Sequence, residues 1–191
     1  MEYDISTTTL GSFTERISRF YLDHRIKYVD GKNFLILGLG GVGSTLAYIL
    51  SHSCRGCVIS MVDEDVIEMK NLGRGMFPYD PSIVGMKKFD YLMKIVSPLN
   101  LYTDYASIQI VYDIVFDCRD KLTEPSELSG VDYKSYIKIG IDGRKVSFIK
   151  AKNYEEITQK IWGDLGTEQY SQIHIPTIFW GVSNVLRKFL K

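Results

Sequence analysis

The amino-acid sequence predicts an α/β protein with a Rossmann-like, mostly parallel sheet, helices on both of its faces, and antiparallel strands near the C-terminal part. Three observations support this fold class. A strand without apolar–polar alternation leads into a glycine-rich turn, an apolar helix follows, and a second buried strand comes next. Strands that are apolar on both faces are typical of parallel sheets covered by helices on both sides.

The N-terminal part of the chain is predicted to hold a loose arm and one helix. Residues 1–12 are polar and rich in threonine, and we find no apolar signal-peptide segment there. Over residues 13–28, apolar positions recur at helical spacing, and Arg16 and Arg19 lie on the other side of the predicted helix.

The next segment predicts one βαβ unit. Asn33 to Leu37 is the first buried strand, the apolar helix runs from Val42 to about Ser51, and Val58 to Val62 is the second buried strand. The crossover between two parallel strands is expected to be right-handed.

The second half of the chain predicts further strands and helices. We expect a helix from Gly85 to Val96 and a buried strand within residues 108–116. Tyr136–Ile141 and Val146–Ile149 predict a hairpin, and a C-terminal amphipathic helix is expected from Pro176 to Leu190.

Length and composition exclude several classes of protein. With 191 residues, of which 45% are apolar and 24% charged, the chain is neither disordered nor collagenous, and we expect a single domain over residues 1–191. Lys+Arg and Asp+Glu both total 23, so nucleic acid and anionic membranes are not expected as main partners. The longest apolar run, Phe34 to Leu39, is too short to span a bilayer. Three cysteines, an odd number, favour the reducing cytoplasm.

The glycine-rich turn has the spacing of a nucleotide-binding motif. Gly38, Gly40 and Gly43 follow a strand and open a helix, and Asp63 comes twenty residues after the last of them. In such a motif the backbone approaches phosphate at a helix N-terminus, and the carboxylate bonds ribose hydroxyls. The alternative is a turn that serves tight helix–strand packing alone, and the motif does not identify the nucleotide.

A second group of polar residues follows the later strands, and it suits a triphosphate with a metal ion better than a dinucleotide. The group comprises Asp63, Asp65, Asn71, Arg74, Lys87 and Asp117-Cys118-Arg119-Asp120. Cations can neutralise a triphosphate, and a carboxylate at a strand end can hold Mg²⁺.

Together these motifs resemble the adenylating domain shared by the ThiF/MoeB sulfur-carrier adenylyltransferases and the ubiquitin-activating enzymes. The glycine turn Gly38–Ser44 matches that family's first motif, and the segment from Asp63 to Arg74 matches its second motif in register. Gly85 with Lys87 or Lys88 resembles the third, G-x-x-K, with Lys87 favoured by its distance from Arg74, and Asp117 to Asp120 match the fourth, D-x-x-D.

The resemblance implies a role for each matched residue. Asp63 would hold the ribose of ATP, and Asp120 would hold Mg²⁺. The triphosphate would be contacted by Asn71, Arg74 and Lys87. The remaining nucleotide-binding positions are expected at Gly38, Gly40, Gly41, Gly43 and Asp65. The implied reaction is attack of a carboxylate on the α-phosphorus, which gives an acyl-adenylate and pyrophosphate.

The resemblance also implies partners. The carboxylate would be the free C-terminus of a small ubiquitin-like or sulfur-carrier protein, or of a peptide. In the family an arginine from the partner subunit's N-terminal helix completes the site, so a homodimer is expected, with Arg19 as first candidate and Arg16 as second.

The sequence departs from the family pattern at several positions. Gly75 stands where glutamine is usual, and Lys121 stands where asparagine is usual. Cys54 and Cys57 form one CxxC pair where many members carry two for zinc, so zinc is not expected. Two alternatives therefore stay open: an NAD-dependent oxidoreductase, and a catalytically degenerate member of the family that binds a carrier.

Overall fold

A computed structural model describes residues 29–120, 125–142, 145–161 and 175–189. The predicted N-terminal helix, with Arg16 and Arg19, lies outside the described residues, as does Lys121. The strands are β1 (Asn33–Leu37), β2 (Val58–Val62), β3 (Leu101–Thr103), β4 (Ile114–Asp117), β5 (Tyr136–Asp142) and β6 (Lys145–Ala151). The helices are α1 (Gly41–Ser53), α2 (Lys88–Leu92), α3 (Tyr154–Ile161) and α4 (Ile175–Phe189).

The six strands form one sheet in the order β3-β2-β1-β4-β5-β6. Strands β1 to β5 are mutually parallel, and β6 is antiparallel to β5. The predicted fold class is thus confirmed, including the antiparallel pair near the C-terminal part.

The order of strands reverses beside β1. From β1 the chain builds outward through β2 to β3, and it then returns to add β4 on the other side of β1. In open α/β sheets, ligands bind outside the carboxyl ends of the strands at such a reversal. The segments after β1 and β4, residues 38–40 and 118–120, lie at this point.

Helices cover both faces of the sheet. Because side chains alternate along a strand, β1 sends Phe34 and Ile36 to one face and Leu35 and Leu37 to the other. The first pair packs in a core with residues of α1 and α4, and the second pair packs in a core that includes residues of α3. Burial on both faces explains why the strand lacks alternation.

The long connection from β2 to α2 has a small core of its own. Ile67, Leu72, Phe77 and Ile83 pack together there, apart from the two main cores. The two ends of the connection are tied by backbone hydrogen bonds from Ile67 to the Met86 carbonyl and from Gly85 to the Ile67 carbonyl, both 2.8 Å long. The connection is therefore a compact lobe, residues 63–87, beside the sheet.

The structure differs from the prediction in four elements. The helix expected from Gly85 to Val96 has helical geometry only over Lys88–Leu92, because Gly85 has a φ of 88° and residues 85–87 pair with the start of the lobe. The strand expected within residues 108–116 begins at Ile114. Strand β3 and helix α3 were not predicted. No helix in the described ranges is long and apolar enough to cross a membrane.

Candidate functional site

The three glycines of the turn after β1 serve different purposes. A Cβ on Gly43 would lie 1.8 Å from the Gly38 carbonyl oxygen, so this glycine allows the helix to pack tightly on the strand. Gly38 has a φ of 82°, a conformation that favours glycine. A Cβ on Gly40, by contrast, would meet no atom within 4 Å. The backbone at Gly40 is therefore open to a ligand.

Arg74 lies at the N-terminus of α1. A Cβ on Gly41, the first residue of that helix, would be 3.7 Å from the Arg74 Cβ. Arg74 is half-buried, and it forms no salt bridge with the part of the chain that the structure describes. An arginine beside a helix N-terminus, where backbone N–H groups lack helical partners, makes this a place for an anion.

Gly75 allows the neighbouring Arg74 to lie close to the N-terminus of α1. Its φ is 57°, and a Cβ there would lie 2.4 Å from both the Gly41 carbonyl oxygen and the Ser44 hydroxyl. The Met76 N–H donates to the same hydroxyl at 3.2 Å. Glycine at position 75 therefore has a packing reason in this chain, where the lobe presses directly on α1.

Asp63 joins the glycine turn to the lobe. Its Oδ2 accepts a hydrogen bond from the Leu39 N–H at 2.6 Å, and its Oδ1 accepts one from the Asp65 N–H at 2.8 Å. The Lys88 ammonium donates to both oxygens, at 3.2 and 3.0 Å. The carboxylate thus lies at the carboxyl end of β2. In dinucleotide-binding folds, an acidic residue at this position binds the ribose hydroxyls.

Lys88 is the alternative that the sequence analysis gave for the lysine of the third motif. Its side chain is 6% exposed, and it forms a second ion pair with Asp65 at 3.0 Å. Burial lowers the pKa of Lys88, but the hydrogen bonds and charges of Asp63 and Asp65 outweigh this, so the pKa lies above its ordinary value. Lys87, the residue predicted for the triphosphate, is exposed at the start of α2. The signal for Lys88 was the G-x-x-K spacing from Gly85.

Asn71 and Arg74 belong to the same turn of the lobe. Asn71 ends a short 3-10 helix, where its Oδ1 accepts a hydrogen bond from the Glu68 N–H at 2.8 Å. Its carbonyl oxygen accepts the Arg74 N–H at 3.1 Å. Asn71 therefore stabilises the turn that carries Arg74.

The segment after β4 lies against the glycine turn. Asp117 is fully buried and accepts hydrogen bonds from Arg119, Tyr136 and Lys138. A Cβ on Gly38 would be 3.1 Å from the Arg119 nitrogen and 3.2 Å from its Cα. Asp120, the residue after Arg119, is exposed to solvent. Asp117 is thus a structural carboxylate, and Asp120 is the one that faces solvent.

These residues fit a nucleotide with a magnesium ion. The open backbone at Gly40 and the Arg74 residue beside Gly41 offer an anion site. Asp63 lies at the end of β2, and its oxygens now accept from Lys88, a contact that ribose hydroxyls would replace. Magnesium in nucleotide sites is held by one or two carboxylates together with phosphate oxygens and waters. A single exposed carboxylate at Asp120 meets that need.

Comparisons with solved structures agree with the fold. The chain resembles E. coli MccB in a structure with ATP, at 18% identity over 92% of this chain and a TM-score of 0.59, and it spans 57% of that MccB chain. It resembles PaaA at 17% identity over 100% of this chain and 69% of that chain, with a TM-score of 0.62. The E. coli tRNA N6-threonylcarbamoyladenosine dehydratase, TcdA, matches at 17% identity over 92% of both chains, with a TM-score of 0.52.

Sequence comparison identifies the family. No protein of curated function matches the chain in sequence. The ThiF family matches residues 17–126, which is more than half of the chain and includes the glycine turn, the lobe and the segment after β4. This chain therefore belongs to the ThiF family.

Proposed function

We propose that the protein is an ATP-dependent adenylyltransferase that converts a C-terminal carboxylate into an acyl-adenylate and releases pyrophosphate. The observation that carries the proposal is the place of Arg74, which the lobe brings to the N-terminus of α1 beside Gly41. Membership of the ThiF family and the ATP in a structure of the fold relative MccB support ATP as the nucleotide.

The nucleotide would lie across the reversal of strand order. Asp63 would accept the ribose hydroxyls, while Arg74 and Asn71 would contact the triphosphate. We propose Lys88 as the triphosphate contact in place of Lys87, because Lys88 is buried beside Asp63, whereas Lys87 is exposed. Lys88 would then exchange part of its present contact with the two carboxylates for a phosphate oxygen.

The proposed reaction is one in-line displacement. A carboxylate oxygen of the acceptor forms a bond to the α-phosphorus, the bond from that phosphorus to the bridging oxygen breaks, and pyrophosphate leaves. Arg74 would neutralise charge that grows on the phosphate oxygens, which is worth several kcal/mol in a site that excludes water. Asp120 would hold Mg²⁺, whose charge would further stabilise the leaving pyrophosphate.

The acceptor is proposed to be a small ubiquitin-like or sulfur-carrier protein, or a peptide, with a free C-terminus. A homodimer would complete the site with Arg19 of the second copy. Mixing inactive Arg19→Ala and Asp120→Ala proteins tests this arrangement, because a mixed dimer regains one intact site. Equal amounts should recover about a quarter of wild-type exchange, since half the dimers are mixed and each has one working site. No recovery after subunit exchange would show that the sites are not shared.

ATP–pyrophosphate exchange in the presence of candidate C-terminal peptides tests the reaction itself. Asp120→Ala should abolish acceptor-dependent exchange. Asp104→Ala is the matched control, because Asp104 is exposed at the same edge of the sheet but follows β3, three strands from β4. Exchange by Asp120→Ala at the wild-type rate would refute the metal role.

The same protein samples separate the two alternatives that the sequence leaves open. An NAD-dependent oxidoreductase would bind NADH, which quenches tryptophan emission, and would show no response to ATP. A degenerate carrier-binding member would bind ATP without exchange across a broad panel of acceptors.

A further inference from the structure

The Asp117 carboxylate, at the end of β4, has three side chains as hydrogen-bond or ion-pair partners. It is fully buried, and its oxygens accept hydrogen bonds from Arg119 Nε at 3.0 Å, Arg119 Nη2 at 3.1 Å and the Tyr136 hydroxyl at 2.5 Å. The Lys138 ammonium completes the set at 3.2 Å. Arg119 is local, but Tyr136 and Lys138 come from the neighbouring strand β5.

The register of the sheet brings these residues together. Asp117 and Lys138 are direct partners in the parallel pair of β4 and β5. Tyr136 lies two residues before Lys138, so its side chain is on the same face. Burial lowers the pKa of Lys138 below its ordinary value, and the charge of Asp117 offsets only part of that shift, so a lysine this deep in a sheet needs partners.

Lys138 has a second contact, in addition to its ion pair with Asp117. We call the two contacts together the clamp. Its ammonium also donates to the backbone carbonyl oxygen of Arg119 at 2.5 Å. One side chain therefore fastens both the side chain at position 117 and the main chain at position 119. The same stretch of main chain lies within 3.2 Å of where a Gly38 Cβ would be. Asp120 follows immediately.

We propose that Lys138 is a positioning residue, whose ammonium clamps the 117–120 segment against the glycine turn and thereby sets the place of the Asp120 carboxylate. The clamp is inferred from the contacts of Lys138 with Asp117 and Arg119. Its effect on magnesium rests on the proposed function. Lys138 itself touches no reacting atom and is not a catalytic residue.

Cys118 offers a built-in reporter for the clamp. A Cβ on Gly43 would lie 3.3 Å from the Cys118 Cβ, so this half-buried cysteine packs against the glycine turn while the segment stays in place. Faster labelling in Lys138→Met therefore reports opening of the segment. Cys54 and Cys57, both buried elsewhere, report global unfolding.

The experiment measures alkylation of each cysteine by peptide mass spectrometry under native conditions. Lys138→Met should accelerate labelling of Cys118 at least about tenfold, the scale of losing one hydrogen bond to a charged group, with Cys54 and Cys57 unchanged. Lys134→Met is the matched control, because Lys134 is exposed and pairs with Asp113 at the other end of β4. If Lys138→Met does not fold, Lys138→Gln, which keeps one donor, should show the same selective change.

The second measurement is the magnesium dependence of ATP–pyrophosphate exchange. Lys138→Met should raise the Mg²⁺ concentration for half-maximal rate about tenfold and leave the KM for ATP nearly unchanged, whereas simple loss of folded protein would change neither.

Unchanged Cys118 labelling, or equal acceleration at all three cysteines, overturns the clamp. Selective labelling with unchanged magnesium dependence overturns the placement of Asp120. A wild-type protein without exchange refutes the proposed function, and the labelling result still decides the clamp.

Discussion

Replacing Lys88 by methionine should cost much more stability than replacing its neighbour Lys87. The Lys88 side chain is 6% exposed and pairs with Asp63, which is 8% exposed. Removing one partner of a buried ion pair costs about 3–5 kcal/mol. We expect about 3 kcal/mol, because the Asp63 carboxylate keeps the Leu39 and Asp65 N–H donors. Lys87→Met, at an exposed position, should change stability by less than about 0.5 kcal/mol.

Urea denaturation followed by circular dichroism measures the difference, and its pH dependence has a definite sign. The pKa of Lys88 is raised in the folded protein, so its contribution is complete below the ordinary lysine pKa of 10.5 and is lost as pH rises through the folded value. The gap between Lys88→Met and wild type should therefore stay constant between about pH 6 and 9 and shrink above about pH 10.5.

ATP binding measured on the same two variants separates stability from function. Lys88→Met should weaken ATP binding at temperatures where it remains folded, and Lys87→Met should bind as the wild type does. If Lys87→Met loses ATP affinity while Lys88→Met is as stable as the wild type, the buried pair does not have the role argued for it, and the sequence-based choice of Lys87 stands.

Three glycine substitutions should differ sharply in effect. Gly43→Ala should prevent stable folding in a thermal melt, because its Cβ would lie 1.8 Å from the Gly38 carbonyl oxygen. Gly40→Ala should leave the melting temperature within a few degrees but weaken ATP binding in a titration, because its Cβ enters open space at the proposed phosphate site. Gly75→Gln should destabilise the protein by more than about 1–2 kcal/mol in denaturant, because a φ of 57° and a 2.4 Å approach to the Gly41 oxygen both oppose a side chain. Wild-type stability of Gly75→Gln would contradict the packing described.

The sequence predicts the βαβ unit well, because every signal there is local. A continuous apolar strand, a glycine turn and an apolar helix each fall within a few residues of one another. The strand bounds match the structure, and the helix bounds differ from it by one or two residues. The hairpin of β5 and β6 and helix α4 were predicted for the same reason.

Long-range charge pairing is what the sequence did not reveal. Helical periodicity does not reveal that Lys88 is buried, because its partner Asp63 is 25 residues away. Lys138 interrupts an apolar strand for a similar reason, since its partner Asp117 lies on the adjacent strand. Strand β3 was missed because an edge strand of three residues, with Leu101 exposed, has no hydrophobic pattern.

The lobe of residues 63–87 has its own small core, yet it carries Arg74 and begins with Asp63. The glycine turn and Asp120, by contrast, are anchored to the strands. A bound nucleotide would thus contact both the lobe and the sheet edge, and each contact would add to the packing of the lobe on α1. We expect saturating ATP to raise the melting temperature of the protein, because a ligand that binds only the folded state stabilises it.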